Sequence, residues 1–458
     1  MAAQRTQAGP NLDAPLLSAA ATAVQGVLHG DDRTFTGAAM DSRKIATHEL
    51  FIALPGTRVD GHDYLAVARE RGAAAALVER KIADPLPQIV VADARLALGR
   101  LAAWWRTHYT CPVIGLTGSN GKTTVKELLA AILDRCGATL ATQGNLNNDI
   151  GLPLTLLRLR SSHRYAVIEM GANHPGEIAY LTRITQPDVA LINNAGPAHL
   201  EGFGSVEGVA RAKGEIFSGL APKGVAVINA DDVYAAVWEN SAAARRIVRF
   251  GLNPGAEVSA QWQGDAGGSR LHVRTPVGSA HATLHLPGQH NVLNALAATA
   301  AALALNVKLP DIVLGLESAR GAPGRMQTKA GRNNACIIDD TYNANPASVQ
   351  AALDVLAACR GRRVLVLGDL AELGDDTVVL HRNIGAAAAT AGIDALYTVG
   401  ALSVHAADAF NAEHRHFANQ EALMANLIPL LALGTTVLVK GSRSAHMERV
   451  VGALTEGA

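Results

Sequence analysis

The chain has 458 residues, enough for about three domains with several buried cores. Forty basic residues balance forty acidic ones, so no net field draws it to nucleic acid or an anionic membrane, while small anionic substrates need only local charge. Cys111, Cys136, Cys336 and Cys359 stand far apart with no Cys-x-x-Cys pair, which argues against a zinc site or a disulfide framework and fits a reducing cytoplasm.

Near the start, Arg5 and the stretch 14–24 faintly imitate a secretory signal. With Asp13 before it and Gln25 closing it, an amphipathic helix explains the stretch equally well, and no uninterrupted apolar run is long enough to span a bilayer. The first hundred residues alternate short strands with a helix and end in a helix expected over 94–109, after which Cys111-Pro112 resets the chain. Apolar strands then recur at 113–116, 165–170, 189–193 and 225–229 with helices between them, the rhythm of a doubly wound parallel sheet. Each ends in polar or glycine-rich residues, where such folds place ligands. Strand-like alternation over 257–286 precedes an alanine-rich helix over 291–305. Gly321-Ala-Pro-Gly324 reads as a linker, and a second α/β series follows, with strands near 336–339, 364–367, 395–399 and 436–439. The expectation is an α/β protein of three domains: a small N-terminal α/β domain (1–108), a central P-loop domain with a doubly wound, mostly parallel sheet (109–321), and a C-terminal Rossmann-like α/β domain (322–458).

The most informative segment is Thr117-Gly118-Ser119-Asn120-Gly121-Lys122-Thr123-Thr124, between an apolar stretch and a helical one. Glycines let the backbone turn its N–H groups toward an anion, and the following helix adds its positive N-terminal end. Lys122 would reach the β- and γ-phosphates of a nucleotide, and the Thr123 hydroxyl would sit on Mg²⁺. The usual spacing puts a further glycine five residues before Gly121; here that position is Leu116, and Gly118 is the upstream glycine.

Other polar residues at strand ends are compatible with a metal. Glu169 follows an apolar strand, where a carboxylate can hold Mg²⁺ beside a P-loop threonine; an ordinary polar strand end is the alternative. His199 lies in the loop after 189–193, and a lone histidine is more often a loop or core residue. Lys213 would by itself be read as a solvated helix face. Asp231 or Asp232 most simply caps the next helix, with a ligand contact as the equal alternative, and Asn291 could cap the helix it opens.

Together with Glu169-Met-Gly-Ala, Asn193-Asn-Ala-Gly-Pro-Ala-His-Leu-Glu-Gly-Phe-Gly, Ala212-Lys-Gly-Glu-Ile-Phe and Gly288-Gln-His-Asn-Val-Leu-Asn-Ala, the P-loop resembles the Mur ligases in content and order. The resemblance covers nearly the whole chain. Met40-Asp-Ser-Arg, Gly56-Thr-Arg-Val-Asp-Gly-His-Asp and Asp339-Asp-Thr-Tyr-Asn-Ala-Asn-Pro resemble the member type that adds D-alanyl-D-alanine to UDP-N-acetylmuramoyl-tripeptide.

The resemblance implies that Asp41, Ser42 and Arg43 hold the UDP end of the substrate. It implies ATP bound by residues Gly118 to Thr124, with His290, Asn291 and Asn294 at the adenine, Arg325 near the phosphates and Asp340 at the ribose. Two Mg²⁺ ions would be held, one by Thr123 and Glu169 and a second by His199. Lys213 would be a carbamate formed with CO₂, which turns a repelling cation into a hard oxygen ligand. Asn343, Asn345 and Pro346 would shape the dipeptide end. Gly368 to Gly374 with His381, and Lys440 to Arg443, also resemble this type without an assigned role. The implied chemistry activates the tripeptide carboxylate as an acyl phosphate, with Lys122, His199, Lys213 and Arg325 as the reactive set, in a cytoplasmic monomer without nucleic-acid or membrane partners. Two alternatives are a ligase of the same family that adds a single amino acid and a P-loop ATPase switch.

Overall fold

The computed structural model describes residues 13–56, 59–197, 200–265 and 267–455. Three sheets carry the α/β parts. The first runs Val27–His29, Gln88–Val90, Ala75–Val78, Leu50–Ile52, Ala38–Ala39, parallel except where Val27–His29 meets Gln88–Val90. The central sheet has six strands, all parallel: Arg246–Phe250, Val225–Asn229, Val189–Ile192, Val113–Thr117, Tyr165–Glu169, Thr139–Ala141. The third runs Gln327–Ala330, Cys336–Asp340, Thr435–Lys440, Arg362–Gly368, Ala395–Val399, Glu413–Phe417, with only its first pair antiparallel. The alternating segment after residue 257 forms its own antiparallel sheet, Ser259–Asp265, Gly268–Thr275 and Gly278–Leu284.

The central strand Val113–Thr117 is buried at every position and lies between Tyr165–Glu169 and Val189–Ile192. The chain crosses to one side of it and then the other, so the crevice beyond its carboxyl end is a topological switch point, and the P-loop begins there. Leu116 is part of this strand and is fully buried in it, so the loop's turn starts only at Gly118.

Apolar faces close the layers. The helix Ala94–Arg106 begins at Asp93, whose Oδ1 accepts the Leu96 N–H at 2.8 Å. It ends short of residue 109 because the buried Arg106 guanidinium donates to the carbonyls of Tyr109 and Thr185 at 2.6 and 3.2 Å, folding the chain back. Its Leu98, Leu101 and Trp105 share one core with Leu50 and Leu77 of the first sheet and Ile168 and Ile192 of the central sheet. The other face of the central sheet is covered by Lys122–Leu133, Gln289–Ala304 and the antiparallel sheet. The C-terminal sheet has a core on each face.

Candidate active site

Gly121 opens the helix Lys122–Leu133 at φ +79°, and a Cβ there would lie 2.3 Å from Asn294 Oδ1 and 2.6 Å from Asn193 Nδ2. Only glycine fits. The loop is held from outside by asparagines: Asn194 Oδ1 accepts the Asn120 N–H at 2.9 Å, and Asn193 Nδ2 donates to the Asn120 carbonyl at 2.9 Å and to Asn294 Oδ1 at 2.8 Å. Asn294 in turn donates to Asn291 Oδ1 at 3.0 Å, and Asn291 to the Pro287 carbonyl at 2.8 Å. Asn291 therefore does not cap its helix, whose N-cap is Gly288. Instead, the two asparagines at i and i+3 link that helix to the phosphate loop.

Lys122 Nζ donates to the carbonyls of Gly118 and Ser119 at 2.7 and 3.3 Å. Burial pushes its ammonium below the ordinary value, and nearby Arg325 pushes the same way against the pull of Glu169. Thr123 Oγ1 donates to Glu169 Oε2 at 3.0 Å, while Asn147 Nδ2 donates to Oε1 at 2.7 Å. Among the described residues no group of three or more His, Cys, Asp and Glu gathers in a way that could hold a metal. A cation here would have the Thr123 hydroxyl and the Glu169 carboxylate, hard oxygens that suit Mg²⁺ completing its shell with phosphate and water. His199 lies outside the described residues.

Lys213 is buried on the helix Val206–Gly214 and has no hydrogen bond or ion pair among the described residues. Burial first, and the nearby Lys122 second, hold its amine well below the ordinary lysine value.

Two cavities meet at the P-loop. One, of about 800 Å³, runs between the central and C-terminal sheets and is lined by Lys122, Thr123, Glu169, His290, Arg325 and Asp340, among others. The second, of about 670 Å³, includes Asp93, Arg95, Asp149 and Lys213 in its walls. Ser119, Lys122 and Asn147 belong to both. Asp41, Ser42 and Arg43 line neither cavity: Arg43 forks onto Asp41 with bonds of 2.9 and 3.0 Å, which holds that carboxyl at about 2, and Ser42 is buried.

The C-terminal wall brings Arg325, Asp340, Asn343 and Asn345 to the first cavity. The Arg325 guanidinium lies 4.0 Å from the Tyr342 ring centroid. Asp340 Oδ1 accepts the Met326 N–H at 3.2 Å, and its other oxygen is bound by Lys440, whose side chain is almost wholly buried. Lys440 also donates to the Asn343 carbonyl at 3.0 Å. Asn345 caps the helix Pro346–Ala357 through the Ser348 N–H at 2.8 Å and donates to Asn120 Oδ1 at 2.9 Å. Burial lowers the His290 imidazole, favouring its neutral form.

Other residues singled out in the sequence act by holding loops. His381 is fully buried, accepting the Leu370 N–H at 3.1 Å and bonding the Thr377 carbonyl at 2.7 Å, so it fixes the loop after Arg362–Gly368. Asp231 and Asp232 do not cap the helix Ala235–Ser241. Asp231 accepts the N–H groups of Leu252 and Asn253 at 2.6 and 3.1 Å, holding the loop after Arg246–Phe250, and Asp232 accepts the Ala195 N–H at 2.9 Å, steadying the loop whose Asn194 bonds the P-loop. Sequence reasoning gave no role to Asn147, Asn193 and Asn194, although Asn193 and Asn194 opened one of the family-like motifs just past the strand Val189–Ile192.

A P-loop at the switch point of a parallel sheet, walled by a second α/β layer, defines an α/β protein built to hold a nucleotide's phosphates. Three family models match: the Mur ligase middle domain over residues 116–302, the Mur ligase glutamate ligase domain over 324–443, and the Mur ligase family catalytic domain over 34–106. The UDP-N-acetylmuramoyl-tripeptide--D-alanyl-D-alanine ligase of Escherichia coli K12 is 47% identical over 437 residues, covering 94% of this chain and 96% of that protein. The crystal structure I of MurF from Acinetobacter baumannii is similar with a TM-score of 0.90 at 41% identity, over 96% of this chain and 99% of that one. MurF ligase from Thermotoga maritima in complex with ADP has a TM-score of 0.82 at 28% identity, over 91% and 96%. The chain belongs to the Mur ligase family. It is an ATP-dependent ligase that forms a C–N bond.

Proposed function

We propose that this protein joins D-alanyl-D-alanine to UDP-N-acetylmuramoyl-tripeptide in the cytoplasm, with ATP converted to ADP and phosphate, giving the UDP-linked pentapeptide of peptidoglycan synthesis. The observation that carries the reading is the pair of cavities meeting at Lys122, one able to take a nucleotide and the dipeptide, the other the peptide end of the sugar nucleotide. Asp41, Ser42 and Arg43 would hold the UDP end, away from the chemistry. In the first cavity His290, Asn291 and Asn294 would face the adenine and Asp340 the ribose.

The tripeptide carboxylate attacks the γ-phosphorus, forming an acyl phosphate and releasing ADP. Lys122 leaves its own loop carbonyls to bind the transferring phosphoryl group, and Arg325 adds a second fixed positive charge. Mg²⁺, held by Thr123 and Glu169 with a second ion near His199, would supply further charge neutralisation on the phosphates. The depressed amine of Lys213 is suited to add to CO₂: its lone pair forms the N–C bond, a proton leaves, and an anionic carbamate replaces a buried ammonium. The dipeptide amine then attacks the acyl carbon, and phosphate departs from the tetrahedral intermediate. Water would hydrolyse the acyl phosphate, so closure of the C-terminal wall over the P-loop through Asn345 and Asn120 protects it. Gly321 to Gly324 would be the hinge.

The test is phosphate release from Mg-ATP with the two substrates added separately and together, followed by mass analysis. Release requiring both, with pentapeptide formed, is expected. Turnover without either, or joining of a single amino acid, would overturn the acceptor assignment.

A further inference from the structure

Among the described residues, four lysines and arginines line the larger cavity: Lys122, Arg325, Lys440 and Arg443. Three are engaged. Lys122 lies against the P-loop carbonyls, Arg325 is stacked on Tyr342 beside Lys122, and Lys440 is buried against Asp340 and the Asn343 carbonyl. Arg443 differs. Its side chain is 64% exposed, its ion-pair contact with Glu448 is 3.7 Å, too long for a hydrogen bond, and its guanidinium lies 5.8 Å from the Tyr342 ring centroid. The backbone that carries it is fixed, because Ser442 donates to the Asp369 carbonyl through both N–H and Oγ, at 3.0 and 2.7 Å. A guanidinium that lines a cavity from a fixed stretch of backbone, with most of its fork free, is suited to an incoming carboxylate.

From Tyr342 the chain runs through Asn343 and Ala344 to Asn345, which touches Asn120 of the P-loop. Three residue steps span at most about 10 Å, and an extended dipeptide about 7 Å. A dipeptide lying along this segment would put its amine toward the P-loop, where the acyl phosphate forms, and its carboxylate toward Arg443. We propose that Arg443 is the receptor for the C-terminal carboxylate of the dipeptide and the residue that makes the enzyme require a free carboxyl end. This rests on the proposed ligase reading.

The experiment compares D-alanyl-D-alanine with its C-terminal amide in the full-length enzyme. The native enzyme is expected to prefer the free acid, and Arg443→Ala to lower kcat/KM for the acid roughly 10- to 100-fold, mainly through KM. The same variant should leave the amide's kcat/KM and the KM for ATP and tripeptide near native, and Arg443→Lys should restore part of the preference. An acid-to-amide ratio unchanged in Arg443→Ala, or a rise in KM for ATP instead, would overturn the receptor while leaving the ligase reading intact. Failure of the native enzyme to join either compound would remove both.

Discussion

Asn345 and Asn120, 225 positions apart in the chain, are joined by a 2.9 Å amide–amide hydrogen bond that ties the cap of a C-terminal helix to the phosphate loop. The same Asn345 side chain accepts the Ser348 N–H, so it serves two functions at once. Serine can keep the cap but is too short to reach Asn120. Asn345→Ser is expected to melt close to the native enzyme yet lose several-fold in kcat, whereas Asn345→Ala should lose the cap too, about 1 kcal/mol. Thermal melts and phosphate-release kinetics on both variants check this; equal kcat losses with equal melting shifts would mean that only the cap matters.

Asp340 and Lys440 are directly opposite each other on neighbouring parallel strands, and the lysine is almost fully buried. Asp340→Asn should leave a buried ammonium without its counter-charge and cost about 3–5 kcal/mol in urea unfolding. Adding Lys440→Met should recover most of that loss. A double variant as unstable as the single one would show that the pair is not what holds these strands.

Glu169 receives one bond from Thr123 and one from Asn147. Glu169→Gln keeps the shape and removes the charge, so the Mg²⁺ concentration for half-maximal phosphate release should rise roughly tenfold or more at unchanged fold, since one hard anionic oxygen ligand is lost. Magnesium titrations of turnover, with circular dichroism as the control for folding, decide it.

The P-loop and the four expected central strands were legible because each rests on local signals: a glycine turn or an apolar run. The edge strands were not. Glu413–Phe417 is exposed at four of its five positions, and Arg246–Phe250 is broken by arginines at 246 and 249, so neither presents an apolar run. The Asp340–Lys440 pair depends on Thr435–Lys440 inserting between Cys336–Asp340 and Arg362–Gly368, which no local pattern announces. The asparagine web around Asn120 was hidden for the same reason. Asn193, Asn294 and Asn345 come from three separate parts of the chain, and an isolated asparagine reads as a turn or cap until the fold brings them together.

Lys213 gives the enzyme a pH signature. Burial holds its amine well below 10.5 in the folded protein, while the unfolded chain keeps the ordinary value. Between those two values the unfolded state binds more protons, so stability of the unmodified enzyme rises with pH across that window and levels off above about 10.5. Lys213→Met should flatten this rise, as measured by urea unfolding in CO₂-free buffer. With bicarbonate present, the neutral amine is drawn into carbamate, and the peptide containing Lys213 should gain the mass of one CO₂ when trapped. Activity should then fall as pH drops, because protonation of the amine competes with carbamate formation. A rise that survives in Lys213→Met would assign the pH dependence to another group, and activity indifferent to CO₂ would mean that the buried amine works unmodified.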